Sequence, residues 1–522
     1  MQKQKLKQIL DNIPLSYKST TQQFNVEIEG IQYDSRLVEP GDIFVALVGS
    51  NFDGHKYIET AVKKGALAVA GTQSVEDWKH LKVPYLQFDH SRVALAHLSA
   101  SFYDHPSRSM VLIGVTGTDG KTTTSNMIYQ ILKSAGLKAG MISTVNALIG
   151  DEVLDTGFHV TTPEAPAVQY YLWRMKKAGL THVVLETTSH GLAQDRVTGC
   201  DFDIAVVTNI IHEHLDYHGS YEAYLKAKGR LFEYLNYTML KPFFPEHLAV
   251  INRDDRSADY LESISEVPQI HYSILEKTDL WAEDIQPEAD GVFFKACSKD
   301  FTIDVHCRLP GDFNVSNALA ALSVGIFGLK VDPVLAAQGI YHMDYIPGRM
   351  EQIKMGQNFQ AIVDFAHTPN ALDNAIKTVR KLTDKRVIVI FGSAGLRDRE
   401  KRRMMAEKSA QLADITIITA EDPRTESLDS ILAEMQLAAE KQGAVLGKTL
   451  FIVPDRGNAI ELGVQMAEAG DVVMPCGKGH EQSMCFGETE FDWDDRTAMR
   501  AALAKLLKIP GPAMPYLPTR DQ

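Results

Sequence analysis

Short runs of consecutive apolar residues, each closing at a Gly, Asn, Asp, Glu or His, recur along the chain. They include "MVLIGVTG" from 110, "HVVLE" from 182, "DIAVVTN" from 203 and "HLAVIN" from 247. After residue 348 come "QAIVDFAH", "RVIVIFGSAG", "DITIITAEDP", "LFIVPD" and "DVVMPCGKG". Runs of this kind predict strands buried on both faces, and the segments between them have helical spacing. In "SNMIYQILKSAG", for example, Met127, Ile128, Ile131 and Leu132 share a face before Gly136 closes the helix. Strands alternating with helices predict mostly parallel α/β sheets, with polar residues collected at the strand C-terminal ends where such sheets hold ligands. Between 290 and 308 the period changes: Phe301, Ile303, Val305 and Cys307 alternate with Thr302, Asp304 and His306, predicting an antiparallel hairpin. The first hundred residues mix the extended runs "DIFVAL" and "ALAVAG" with loops, then a helical pattern and a Pro-containing linker, "YDHPSRS".

A chain of 522 residues is too long for one core, and at about 150 residues per domain it divides into roughly three. The predicted units are 1–107, 108–347 and 348–510, followed by a Pro-rich, loosely held tail over 511–522. A formal charge of −14 argues against nucleic acid as the main partner, because counterion release needs a clustered basic face. Any anionic substrate must then be met by local positive groups. Cys200, Cys297, Cys307, Cys476 and Cys485 are scattered, without a C-x-x-C pair, so neither a disulfide framework nor a zinc ribbon is expected. The N-terminal segment lacks the apolar core of a signal peptide, and no run approaches the ~18 to 20 apolar residues of a membrane span. A soluble cytoplasmic protein is the expectation.

The chemistry concentrates first at "IGVTGTDGKTTT", residues 113–124. The usual phosphate-loop spacing would place a glycine at 115, where this chain has Val115; its glycines are Gly114, Gly117 and Gly120. The setting is still strand, loop, helix. Gly117, Thr118, Gly120 and Thr123 lie where backbone N–H groups and a helix N-terminus meet phosphate oxygens, with Lys121 to neutralise charge and Thr122 to hold Mg2+. Asp119 would repel phosphate, so its side chain is expected to point away. Glu186 ends one apolar strand, and His212, His214 and His218 follow another; hard Mg2+ accepts carboxylate oxygen and tolerates an imidazole. A zinc site is the competing reading, although these histidines do not fit H-E-x-x-H.

The spacing G-x-x-G-x-x-G-K-T over 114–122 resembles that of the Mur ligases. "YDSRLVEPGDIFVAL", "LPGDFNVSNALAAL", "YIPGRMEQI" and "VDFAHTPNAL" extend the likeness over nearly the whole chain. The resemblance implies a small N-terminal α/β domain binding a UDP substrate, a central P-loop-type ATPase domain with a parallel sheet and an antiparallel addition, and a Rossmann-like C-terminal domain. It is nearest to the ligases that add a diamino acid to UDP-N-acetylmuramoyl-L-alanyl-D-glutamate in peptidoglycan precursor synthesis. In these a lysine, matching Lys228 in "LKAKGRLF", is carboxylated by CO2 to a carbamate that helps to hold Mg2+. A free lysine, with pKa about 10.4, is a cation and a poor metal ligand, whereas the carbamate is an anion with two oxygens.

Carried over by position, the resemblance implies that Thr122, Glu186, His214 and Lys228 hold the metal. It places Asn314, Asn317, Arg349 and Asp364 around ATP. Tyr33 and Ser35 would meet the uridine end, and Thr161, Thr162, Thr188, Gln194 and Arg196 the muramoyl dipeptide. The amino-acid pocket would draw on Arg397, on Glu421, Asp422, Pro423 and Arg424, and on Gly477 and Glu481. Enzymes of this type adding meso-diaminopimelate read D-N-P-R where this chain has E-D-P-R. Arg424 favours a distal carboxylate, whereas the acid at 422 suits the free ammonium of lysine or ornithine; diaminopimelate is slightly favoured. The implied reaction is phosphoryl transfer to the D-glutamyl γ-carboxylate, then attack by the diamino acid's amine, in a monomer whose third domain swings over the second. A folylpolyglutamate synthase-like ligase is the alternative enzyme, opposed by the hundred residues before Met110; a non-catalytic nucleotide-dependent binding module is the alternative from another class.

Overall fold

The structure, a computed structural model, describes the chain except residues 1, 50–51, 151, 155–160, 212, 214, 289–290, 344 and 521–522, and the side chains of 215 and 216. Three sheets organise it. The first has five strands in the order Lys18–Ser19, Tyr85–Gln87, Ala68–Gly71, Asp42–Val45, Gly30–Gln32, parallel except for the first. Its two faces are covered by the helix Ser91–Phe102, through Leu95, Leu98 and Phe102, and by Ile58–Lys63.

The second sheet has eleven strands, and Val111–Thr116 runs near its middle between His182–Glu186 and Ile204–Val207, parallel to both. The interior of each of these strands is apolar because each is covered on both sides, by separate cores containing Ile113 and Val184 on one face and Leu112 and Val183 on the other. The hairpin read between 290 and 308 is present as Gly291–Cys297 paired antiparallel with Thr302–Cys307. A longer partner, Leu280–Glu288, joins it to the parallel part. Val305 and Cys307 point inward, as the alternation requires.

The third sheet orders its strands Glu351–Gln352, Gln360–Val363, Val472–Pro475, Val387–Phe391, Ile415–Ile418, Leu450–Ile452, all parallel but the first. Helices Pro369–Lys381, Arg399–Leu412 and Leu428–Lys441 cover one face, and Arg456–Met466 with Asp495–Leu507 the other. The Pro-rich end differs from the loose tail read in the sequence. Leu517 is fully buried in the third core, and the Thr519 hydroxyl donates to Asp455 at 3.0 Å. An apolar anchor and a capping carboxylate outweigh the composition of this segment.

Beneath the C-terminal ends of the third sheet lies a buried ion pair. Arg456 donates from Nε and Nη2 to the two carboxylate oxygens of Asp495, both at 2.7 Å, and both residues are wholly inaccessible. The same guanidinium donates to the carbonyls of Ala420 at 3.2 Å and Cys476 at 2.7 Å, so it ties together the two chain segments that follow strands Ile415–Ile418 and Val472–Pro475. Removing one member of such a pair leaves an uncompensated buried charge. Arg456→Ala is therefore expected to lower unfolding free energy by about 3–5 kcal/mol in denaturant melts followed by tryptophan fluorescence; a loss below about 1 kcal/mol would contradict this account.

Candidate active site

Gly117 and Gly120 explain the shifted glycine spacing. Both have positive φ, 151° and 83°, and a Cβ would lie 1.8 Å from the Thr208 hydroxyl at the first and 2.3 Å from the Asn317 amide oxygen at the second. Gly120 then caps the helix Lys121–Ser134, whose first N–H groups face the loop. The loop is fastened from the neighbouring strand: the Asn209 carbonyl accepts from Thr118 N at 2.7 Å, and its amide oxygen accepts from Asp119 N at 3.0 Å. Lys121 Nζ donates to the Thr118 carbonyl at 2.7 Å.

Glu186 ends the adjacent strand and is 1% exposed. Its carboxylate accepts from the Thr122 hydroxyl, 3.1 Å from both oxygens, and from the amide and hydroxyl of Thr144 at 3.0 and 2.9 Å. Arg349, from the segment leading into the third sheet, also donates to the Thr122 hydroxyl, at 3.3 Å. Lys228 is buried under the loop, donating to the Gly117 carbonyl at 2.5 Å with its ammonium 4.6 Å from the Tyr224 ring centre. Burial, and then the neighbouring charge of Lys121, push the Lys228 amine well below the ordinary lysine range. His214 lies outside the described residues. The Thr122 hydroxyl and Glu186 carboxylate are hard oxygen donors at the phosphate end, the donor set a magnesium ion accepts.

A cavity of about 780 Å3 joins this loop to the third sheet. Thr118 to Thr123, Glu186, Asn314, Asn317, Arg349 and Asp364 line one part of it. Asn314 and Asn317 are held by each other at 3.1 Å, and the Asp364 carboxylate accepts from Met350 N at 2.7 Å and Ala366 N at 2.8 Å. Thr161, Thr188 and Arg196 line another part. Behind them the Thr162 hydroxyl donates to the Glu186 carbonyl at 3.1 Å, and Arg196 donates to the Thr162 carbonyl and to Gln194, both at 2.8 Å, and pairs with Glu164 at 3.0 Å. Tyr33 stands outside the cavity near Glu164 and Arg196, its hydroxyl pushed up by burial and then by the Glu164 charge. Ser35, two residues on, does not line the cavity either.

On the opposite wall stand Arg397, Glu421, Asp422, Arg424, Gly477 and Glu481. Pro423 lies behind it; its carbonyl closes a turn by accepting from Glu426 N at 3.1 Å. Asp422 is more engaged than the sequence suggested. Its carboxylate accepts from Lys478 Nζ at 3.0 and 3.1 Å and from Cys485 N at 2.9 Å, so both of its oxygens are engaged inside the protein. Lys478 also reaches Glu481 at 2.5 Å. Glu421 Oε2 is buried without a hydrogen-bond partner and sits directly over Gly477, where a Cβ would come within 2.2 Å. Burial pushes this carboxyl up to about 7, against the opposing charges of Arg456 and Lys401. Asp119 turns its side chain off the loop and across the cleft, accepting from Asn370 at 3.1 Å.

Sequence reasoning missed Thr144, Asn209, Lys401 and Lys478, which line the cavity or hold its walls. Asn209 was legible, as the polar residue closing an apolar strand; Lys478, inside a glycine-rich loop, gave no sign that it would be buried.

The chain matches three family descriptions in succession: "Mur ligase family, catalytic domain" over residues 27–103, "Mur ligase middle domain" over 115–325 and "Mur ligase, glutamate ligase domain" over 348–479. It is 42% identical to the UDP-N-acetylmuramyl-tripeptide synthetase of Roseiflexus sp., covering 92% of this chain and 96% of that one. It is 39% identical to the UDP-N-acetylmuramoyl-L-alanyl-D-glutamate–2,6-diaminopimelate ligase of Geobacillus thermodenitrificans, covering 92% and 95%. A solved structure of a ligase of the latter name superposes with a TM-score of 0.65 at 30% identity, over 97% of this chain and 99% of that one. With its phosphate loop, its three sheets and these relatives in agreement, the chain belongs to the Mur ligase family.

Proposed function

We propose that this enzyme uses ATP to join meso-diaminopimelate to the γ-carboxylate of the D-glutamyl residue of UDP-N-acetylmuramoyl-L-alanyl-D-glutamate, releasing ADP and phosphate, in peptidoglycan precursor synthesis. One observation carries the reading: the phosphate loop and the cluster Arg397, Arg424 and Glu481 face the same cavity from two different sheets. A nucleotide, a carboxylate and an amine can therefore meet there. The choice of diamino acid rests on Asp422. Both of its oxygens are already taken by Lys478, so it is not free to pair with a substrate ammonium, and Arg424 remains, whose guanidinium suits a distal carboxylate. No helix among the described residues is long and apolar enough to cross a membrane, in keeping with a cytoplasmic site of action.

The γ-carboxylate attacks the terminal phosphorus of ATP; ADP leaves and an acyl phosphate forms. The diamino acid's amine then attacks the acyl carbon, phosphate departs, and the nitrogen loses its extra proton. Lys121 and the loop amides stabilise charge on the transferring phosphoryl group, while Arg196 and Thr188, the latter fixed from behind by Thr162, hold the dipeptide. Thr122, Glu186, His214 and a carbamate on Lys228 would hold magnesium, which lowers the charge on the phosphates when bound. Lys228 suits carbamate formation, since the attack on CO2 needs a neutral amine and burial favours that form.

Three measurements test these points. Phosphate release with ATP and the UDP-muramoyl dipeptide, run separately with diaminopimelate, lysine and ornithine, should be fastest with diaminopimelate; silence with all three would sink the assignment. Protein equilibrated with 13C-bicarbonate should show a carbamate carbon resonance that Lys228→Ala lacks; identical spectra would remove the carbamate. Glu421, with its carboxyl raised to about 7, ionises as pH rises through neutrality. If it meets an ammonium of the diamino acid, KM for that substrate should fall by up to about tenfold between pH 6 and 8, and Glu421→Gln should flatten the change. A wild-type profile already flat in KM would contradict that contact.

A further inference from the structure

Asp119 is an acid in a loop built for anions, and its backbone is pinned on both sides. The Thr208 hydroxyl and Asn209 amide donate to its carbonyl at 2.6 and 3.2 Å, while its own N–H is held by Asn209. The carboxylate then reaches across the cleft to Asn370 Nδ2, 3.1 Å from Oδ2 and 251 residues further along the chain.

Asn370 is the second residue of the helix Pro369–Lys381, which the Thr368 hydroxyl caps by accepting from Ala371 N at 3.1 Å. Asn370, Ala371, Asn374 and Ala375 form one face of that helix and line the cavity. Near the far end, Gly311 comes so close that a Cβ there would lie 2.9 Å from the Thr378 hydroxyl. Lys381 closes the end by pairing at 2.9 Å with Asp312, the first residue of the helix that carries Asn314 and Asn317. The helix thus lies as a roof over the cleft, fastened at both ends to the second sheet's unit. The Lys381–Asp312 pair is half exposed and contributes little. The contact at Asp119 is the one that joins the roof helix directly to the phosphate loop.

We propose that Asp119 is a positioning residue: by holding Asn370 it sets where the roof helix, and with it the acceptor wall, sits over the phosphate loop. This goes beyond the proposed function and rests on it for the kinetic readout only. Asn370→Asp would place two carboxylates face to face, whereas the exchange Asp119→Asn with Asn370→Asp rebuilds an amide–carboxylate pair with its ends reversed.

Wild type, N370D, D119N and the double exchange should be compared in two ways: kcat and KM for ATP and the diamino acid, and the radius of gyration of the unliganded protein by X-ray scattering. N370D is expected to lower kcat/KM for the diamino acid by about tenfold or more and to enlarge the particle. The double exchange should return both to within about threefold of wild type. The proposal is overturned if N370D matches wild type in both readouts, or if the double exchange is as impaired as the two single changes combined. Absence of turnover in the wild type would instead strike the proposed function, leaving the scattering comparison to decide the role of Asp119.

Discussion

Two points of backbone, at residues 117 and 120, admit no side chain, and the rest of the centre depends on that constraint. Thr208 occupies the space beside the first and Asn317 the space beside the second. Each comes from a different element, so the loop is clasped between a strand end and the middle of the helix Asp312–Ser323. Thr118, Lys121 and Thr122 take their places from this clasp, and Lys228 reaches up to the Gly117 carbonyl from below. A larger residue at either position would push apart the groups that aim the amides, and the loss would reach Glu186 through Thr122.

The opposite wall follows a different logic, in which charged side chains are paired within the protein. Lys478 is shared between Asp422 and Glu481. Arg456 and Asp495 pair one to one a layer deeper. Arg397, Lys401 and Arg424 face the cavity as cations, beside Asp422, Glu481 and Glu421, whose Oε2 has no partner. Counting formal charges along E-D-P-R leaves out Lys478, the partner of Asp422, because it stands 56 residues later in the chain.

Much of the frame was legible from patterning. The uniform apolar strands of the second and third sheets, the period-two hairpin from 290 and the strand–loop–helix at 113–124 are all where local sequence puts them, because each is decided by residues close in the chain. The phosphate-side residues could be read for the same reason: Glu186 ends a strand that pairs with Val111–Thr116. What patterning left out has a common cause. The partner of Asp119, the pairing of Asp422 with Lys478 and the burial of Leu517 each depend on a residue far away in sequence, which local composition cannot reveal.

The two halves of the cavity are borne by different sheets, with the phosphate loop on the second and the E-D-P-R turn on the third. A change of amino acid at the acceptor turn need not disturb the hydrogen bonds that hold Thr122 and Glu186. In evolutionary terms the scaffold separates the common energy source from the variable building block, so lineages can alter what they attach while the phosphate chemistry stays untouched.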